Sequence, residues 1–267
     1  MTLELSGGRA PAAVLRVARQ EAERAFRAVS RENRDNPDNK PYAPKLKLTQ
    51  AVVDYRQPGR RAWLLLYWVG NAGPRANTPL SQLSIVSADG EVILSVPARS
   101  PSARVGAAEI AGEAQDALMV ETAPGRYALA VGYGAQSKMP GEVKLVSLPA
   151  KGAPQEMWSY PAEGDDRRTE STIFFVHLPH EASTAIAVRE NEQNFEGEQQ
   201  TLLHHDLLDR LDPQRHRYLP AEMAPDRLAK ILAAAEADRK TFHIEQVGPP
   251  RRGSIDGGGG AGRKARS

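Results

Sequence analysis

Cysteine is absent from all 267 residues. That excludes disulfide bonds, thiol catalysis and every cysteine-ligated metal or iron–sulfur centre. Long apolar runs are missing as well. None approaches the roughly 18 to 20 residues that a helix needs to cross a bilayer, so no membrane-spanning helix is expected. The first fifteen residues lack the basic start, apolar stretch and small-residue cleavage site of a secretory signal. A cytoplasmic location is therefore the expectation. Aromatic residues are few, with three Trp, seven Tyr and five Phe.

The chain is 40% hydrophobic and 25% charged, close to an ordinary globular protein. This supplies a core and excludes a wholly disordered or coiled-coil chain. The length suits one large or two modest domains. The net charge of +2 is unevenly spread: residues 1–47 carry ten basic against six acidic side chains, and 249–267 carry five against one. The ends are basic and the body between them is acidic. Such asymmetry suits tails that reach for a polyanion or an acidic partner, or that simply solubilise the chain.

Periodicity divides the chain into four stretches: 1–45, 46–150, 151–247 and 248–267. In the first, Val14, Leu15, Ala18, Ala22, Ala25, Phe26 and Val29 recur at three- and four-residue steps, predicting a helix from Pro11 to Glu32. The stripe is narrow and alanine-rich, so the helix needs a surface to pack on. Asn33 to Pro41 is rich in turn formers and ends it.

From residue 46 the apolar period falls to two. Trp63-Leu-Leu-Leu-Tyr-Trp-Val69 is apolar on both faces, as a strand covered on both sides would be. Asp89-Gly90 separates two apolar runs, a hairpin signal, and Pro124-Gly125 separates two more. About seven short strands in roughly a hundred residues predict an α+β protein. Its core would be an antiparallel β-sandwich of the immunoglobulin or fibronectin type, with an N-terminal helix and a C-terminal helical segment. Tyr127 opens a strand directly after a turn. This resembles the tyrosine corner of such sandwiches, with Trp63 as the core tryptophan.

Beyond 150, strands are predicted at Glu156–Tyr160, Thr172–Leu178, Thr184–Arg189 and Phe242–Val247. Helices are predicted over Gln199–Leu211, where Leu202, Leu203, Leu207, Leu208 and Leu211 form a stripe that Asp212-Pro213 stops, and from Pro225 toward Lys240. The glycine-rich basic segment 248–267 has no residues with which to build a core and reads as a disordered tail.

All six histidines lie between 177 and 243. His177, His180 and Glu181, with His204, His205 and Asp206, are the candidates for catalysis, and His177, His180 and His204 for metal ligation, because imidazole and carboxylate form transition-metal sites. Yet the helical zinc spacing is absent, and Pro179 keeps His177 and His180 off a common helix face. No nucleophile elbow or phosphate-binding glycine loop is found. Ordinary surface and core histidines are the preferred reading, with no cofactor. Arg251, Arg252, Arg263, Lys264 and Arg266 are the candidate polyanion contacts, but no aromatic accompanies them to stack on bases.

The reading that results is a non-catalytic interaction or assembly protein with a protein partner and scope for self-association. A hydrolase or metal-dependent enzyme built on the C-terminal histidines and carboxylates is the alternative, and weak nucleic-acid binding through the basic ends is the third. If the tail serves only solubility, deleting 249–267 will leave the melting temperature almost unchanged. A fall of several degrees in a thermal scan would show that it docks on the body.

Overall fold

A computed structural model describes residues 10–32, 45–57, 59–68, 81–97, 104–105, 108–109, 113–134, 142–161, 168–196, 199–236 and 241–246. The chain opens with helix α1 (Ala12–Glu32), as its apolar stripe predicts. Strands β1 (Lys45–Val53), β2 (Arg61–Trp68), β3 (Ser81–Ser87) and β4 (Val92–Pro97) follow and pair in chain order as one antiparallel sheet. Two short strands, β5 (Arg104–Val105) and β6 (Ala108–Glu109), pair with each other. A second sheet holds β7 (Glu113–Ala123), β8 (Arg126–Gly134), β9 (Glu142–Leu148) and β10 (Glu156–Pro161), again in chain order. The third sheet is built from β11 (Arg168–His177), β12 (Thr184–Glu196), β13 (Gln199–Asp212) and β14 (Arg217–Pro220). After helix α2 (Pro225–Glu236), the last strand, β15 (Thr241–Gln246), returns to pair with β11 on its free side. Among the described residues, no helix is long and apolar enough to cross a membrane.

Side-chain alternation stacks these parts. On β2, Ala62, Leu64 and Leu66 point one way and join Leu129, Val131 and Leu148 of the second sheet. Trp63, Leu65 and Tyr67 point the other way, onto Val14, Val17, Ala18 and Ala22 of α1. Strand β8 divides similarly. Leu129 and Val131 face the first sheet, while Ala128 and Ala130 meet Ile173, Ile186 and Val188 of the third. Behind β11 and β12, Phe174, Val176, Ala185 and Ala187 take Leu228 and Leu232 of α2. The order of layers is helix, sheet, sheet, sheet, helix.

Turn chemistry fixes how the layers meet. Gly90, at φ 89, lies in the β3–β4 turn, and a Cβ there would stand 3.4 Å from both Ala13 and Val17. A glycine thus lets the hairpin tip come up against α1. Arg56 links the turns of the two hairpins. Its Nη1 donates to Glu91 at 3.0 Å, its Nε lies 3.6 Å from Asp54, and Asp54 accepts the Arg56 backbone N–H.

Three expectations need correction. The described strands do not interleave between sheets as immunoglobulin-type connectivity requires, because the first two sheets are simple meanders. The segment 199–211 is not a helix but most of β13, paired with β12 from Ile186↔Asp209 to Glu196↔Gln199. Its leucine spacing fits a helical stripe. A ladder of this length, with Leu208 buried beneath α2, overrides that local preference. Asp212-Pro213 opens a hairpin turn instead of stopping a helix, and Asp212 Oδ1 accepts the N–H groups of Gln214 and Arg215. Finally, no tyrosine corner forms at Tyr127. Its hydroxyl has no hydrogen-bond partner among the described residues. The turn is closed instead by Glu121 accepting the Gly125 N–H and by Thr122 donating to the Arg126 carbonyl.

The division of 46–150 from 151–247 passes between two paired strands, since β10 extends the second sheet through β9. Segment 248–267 lies outside the described residues. Trp63 is buried, but against α1 and not between sheets. Trp63→Ala should therefore cost about 3 to 5 kcal/mol in denaturant unfolding. Tyr127→Phe, which loses no hydrogen bond, should stay within about 0.5 kcal/mol of wild type in the same measurement.

Candidate functional site

Strand β7 is the outer strand of the second sheet. Its residues Leu118 and Val120 face the third sheet, while Met119 faces the first. Across from it, β15 pairs with β11 only as far as Phe174↔Thr241. Phe175, Val176 and His177 follow this last described pair along β11. Helix α2 starts on Pro225, a residue preorganised for a first helical turn, with Asp226 beside it at the positive end of the helix. Leu228 and Leu232 anchor α2 to the third sheet. Ile231 and Ala235 pack at the margin of the same cluster, half-buried, and Ala234 is exposed. Together these elements enclose a cleft of about 640 Å³ lined by residues 118–121 of β7, 175–177 of β11, Pro179, Thr184 and the α2 side chains.

Thr184 closes one end of the cleft. Its hydroxyl donates to the Glu121 carbonyl at 2.6 Å, and its own carbonyl accepts the buried Tyr218 hydroxyl at 3.0 Å. One residue thereby holds β7, the start of β12 and β14 in fixed relation. His177 Nδ1 stands 3.4 Å from Thr184 Oγ1. Because the threonine proton is engaged by Glu121, the imidazole is the donor in this contact.

Of the residues singled out in the sequence, only His177 lies in this cleft. His180 occupies the β11–β12 turn at φ 69, exposed, and Glu181 beside it pairs with Arg210 at 3.3 Å. His204 and His205 sit on β13, opposite Asn191 and Glu190. Those partners are six and seven positions along β12 from Thr184, about 20 Å or more at the rise of a strand. The His204 side chain lies outside the described residues. Asp206 is engaged by Arg189 Nε at 3.2 Å, and Arg189 Nη1 reaches Glu236 at 2.5 Å, tying the end of α2 to the sheet. His216 forms a separate turn at φ 53. Among the described residues, no three of His, Asp and Glu are placed to hold a metal. Arg251, Arg252, Arg263, Lys264 and Arg266 lie outside the described residues.

Two polar clusters between the second and third sheets could resemble catalytic groups. Tyr160 donates to Glu190 and lies 3.1 Å from Ser171 Oγ, and Trp158 Nε1 donates to Asp209 Oδ2 at 2.6 Å. Ser171, at 1% exposure, is closed to any substrate. Burial pushes the Tyr160 hydroxyl up, as does its bond to Glu190. These groups satisfy one another across a sheet interface, which fixes how the two sheets register. A smaller cleft of about 500 Å³ beside the end of β14 presents Asp206, Asp209 and Glu222. Two of those carboxylates are the ones already engaged by Arg189 and Trp158.

The residues of the main cleft escaped the sequence reading because they are ordinary apolar strand and helix residues. The one available signal was the apolar character of both faces of β7 around Leu118, Met119 and Val120.

Burial raises the Asp209 carboxyl above the usual aspartate range, with the Trp158 hydrogen bond opposing in part. The native state therefore keeps a proton that the unfolded chain has already lost. Between the two pKa values, stability falls as pH rises. Asp209→Asn keeps an acceptor for the indole and should remove this slope. Urea unfolding of both proteins from about pH 3.5 to 6 checks it, since parallel curves would show that Asp209 titrates normally.

The chain matches no protein-family model, no curated protein and no solved structure, so the function of the cleft is argued from its own geometry.

Proposed function

We propose that this chain is a non-catalytic interaction or assembly protein, a β-sandwich scaffold that receives a protein partner in the cleft between β7, β11 and α2. The observation that carries the reading is the make-up of that cleft. Its volume of about 640 Å³ lies in the range of ligand sites, and most of the residues that line it are apolar, with polar groups between them. Its polar side chains are Glu121, His177 and Thr184. The threonine hydroxyl is engaged in holding two sheets together, and the histidine donates toward it. His177 and Glu121 are the basic groups of the cleft, and the hydroxyl beside them, that of Thr184, is engaged by the Glu121 carbonyl and is not free to act as a nucleophile. The enzyme alternative needed several of His177, His180, His204, His205 and His216 in one place, and the described residues of that set lie on separate turns and strands.

A photo-crosslinking amino acid placed at the exposed Ala234 tests this reading in extract of the native host. The expected result is a discrete crosslinked species that a probe at Arg217 does not form. Absence of such a species, or turnover of esters, phosphoesters or glycosides by the purified protein, would overturn the proposal.

A further inference from the structure

The open edge of β7 states what kind of partner the cleft takes. We propose that it binds a single extended peptide segment, added antiparallel to β7 as a fifth strand of the second sheet, with a basic residue beside Glu121. This rests on the reading of the cleft as an interaction site.

Four consecutive residues of β7, Leu118 to Glu121, line the cleft. Consecutive residues on a strand point to opposite faces. A cavity that touches all four therefore runs along the strand edge and not over one face. That edge belongs to the outermost strand of its sheet, and among the described residues no strand pairs with it. Every second residue of such an edge turns its N–H and C=O outward, the groups that another main chain satisfies. The Glu121 carbonyl is already held by Thr184, so the ladder runs from Met119 onward and the residue beside Glu121 contributes its side chain.

The surroundings limit the occupant to one strand. The β11 edge and α2 stand across the cleft from β7, so a whole second sheet, such as the β7 edge of another copy, meets these walls before it can pair. The side chains then set a pattern. Opposite Val120 and Leu118, the added residues point toward Phe175 of the third sheet and should be apolar. Opposite Glu121 stands an exposed carboxylate. One of its oxygens accepts the Gly125 N–H, and the other has no partner among the described residues. A lysine or arginine in that position forms a favourable cross-strand pair. Antiparallel addition is the more stable arrangement and places this basic residue at the N-terminal end of the bound segment.

The test uses the full chain and an acetylated, amidated six-residue peptide that opens with lysine and then alternates valine and threonine. Titration followed by amide NMR should shift residues 118–121 and slow hydrogen exchange of the outward amides of β7. An analogue N-methylated at alternate residues keeps the side chains but cannot form the ladder, and should bind at least about tenfold more weakly. Glu121→Lys should weaken the lysine peptide, and a peptide opening with glutamate should recover binding to that variant. Ala234→Trp, which fills the cleft from an exposed helix position, should abolish binding with the sheet spectra unchanged. Four outcomes would overturn the inference: no shift at 118–121, equal binding of the N-methylated analogue, protection confined to another element, or protection of β7 by self-association without peptide. If any of these occurs while crosslinking from Ala234 still succeeds, the cleft remains an interaction site and only the strand-addition mode falls.

Discussion

A strand that is apolar on both faces has to be covered twice, and this requirement organises the whole molecule. On β2 the consecutive residues Leu64 and Leu65 are both fully buried, one beneath the second sheet and the other beneath α1. The same is true of Ala130 and Leu129 on β8, and of Ile173 and Phe174 on β11. Each sheet thus needs a layer on either side, and the stack ends only where a helix supplies a face that water can reach. Helix α1 does this with Arg16, Arg19 and Gln20 exposed, and α2 with Arg227 and Lys230 exposed.

The division of sizes on β8 shows how tightly this constraint acts. Its small residues, Ala128 and Ala130, face the isoleucines of the third sheet, and its larger ones, Leu129 and Val131, face the leucines of the first. A one-residue insertion in β8 would exchange the two sets, overfilling one core and leaving voids in the other. Lateral register between the second and third sheets has a polar component as well, through Trp158 to Asp209 and Tyr160 to Glu190. Direction is specified there by hydrogen bonds, where apolar contact alone would allow sliding.

Much of this was legible in the sequence. The α1 stripe, the two-sided run at Trp63, and the turns at Asp89-Gly90 and Pro124-Gly125 each report a local preference that the fold keeps. What was not legible depended on distant partners. The leucines of 199–211 satisfy either period in isolation, and only the ladder with β12 decides between them. Strand β14, four residues long, carries no pattern of its own and is held by Tyr218 reaching Thr184. The cleft was invisible for the same reason. Its walls come from three stretches far apart in the chain, and each looks like ordinary core until their edges are seen to face one another. Histidines attracted notice by being unevenly spread, yet their chemistry needs convergence, and among the described residues His177, His180, His205 and His216 lie on separate strands and turns.

The order of strands also bears on how the chain reaches this state. Within the first two sheets every ladder joins strands adjacent in sequence. Such hairpins close at modest entropic cost and can form before the layers meet. The ladder between β11 and β15 differs, because β12, β13, β14 and α2 all lie between its two strands. Its closure pays the largest loop entropy of any described pairing, so it belongs to the late part of folding. Until β15 arrives, the outer edge of β11 lacks this ladder, beside the buried side chains of Ile173 and Phe174. The time taken for that final strand to dock sets how long the folding chain is open to pairing with its neighbours.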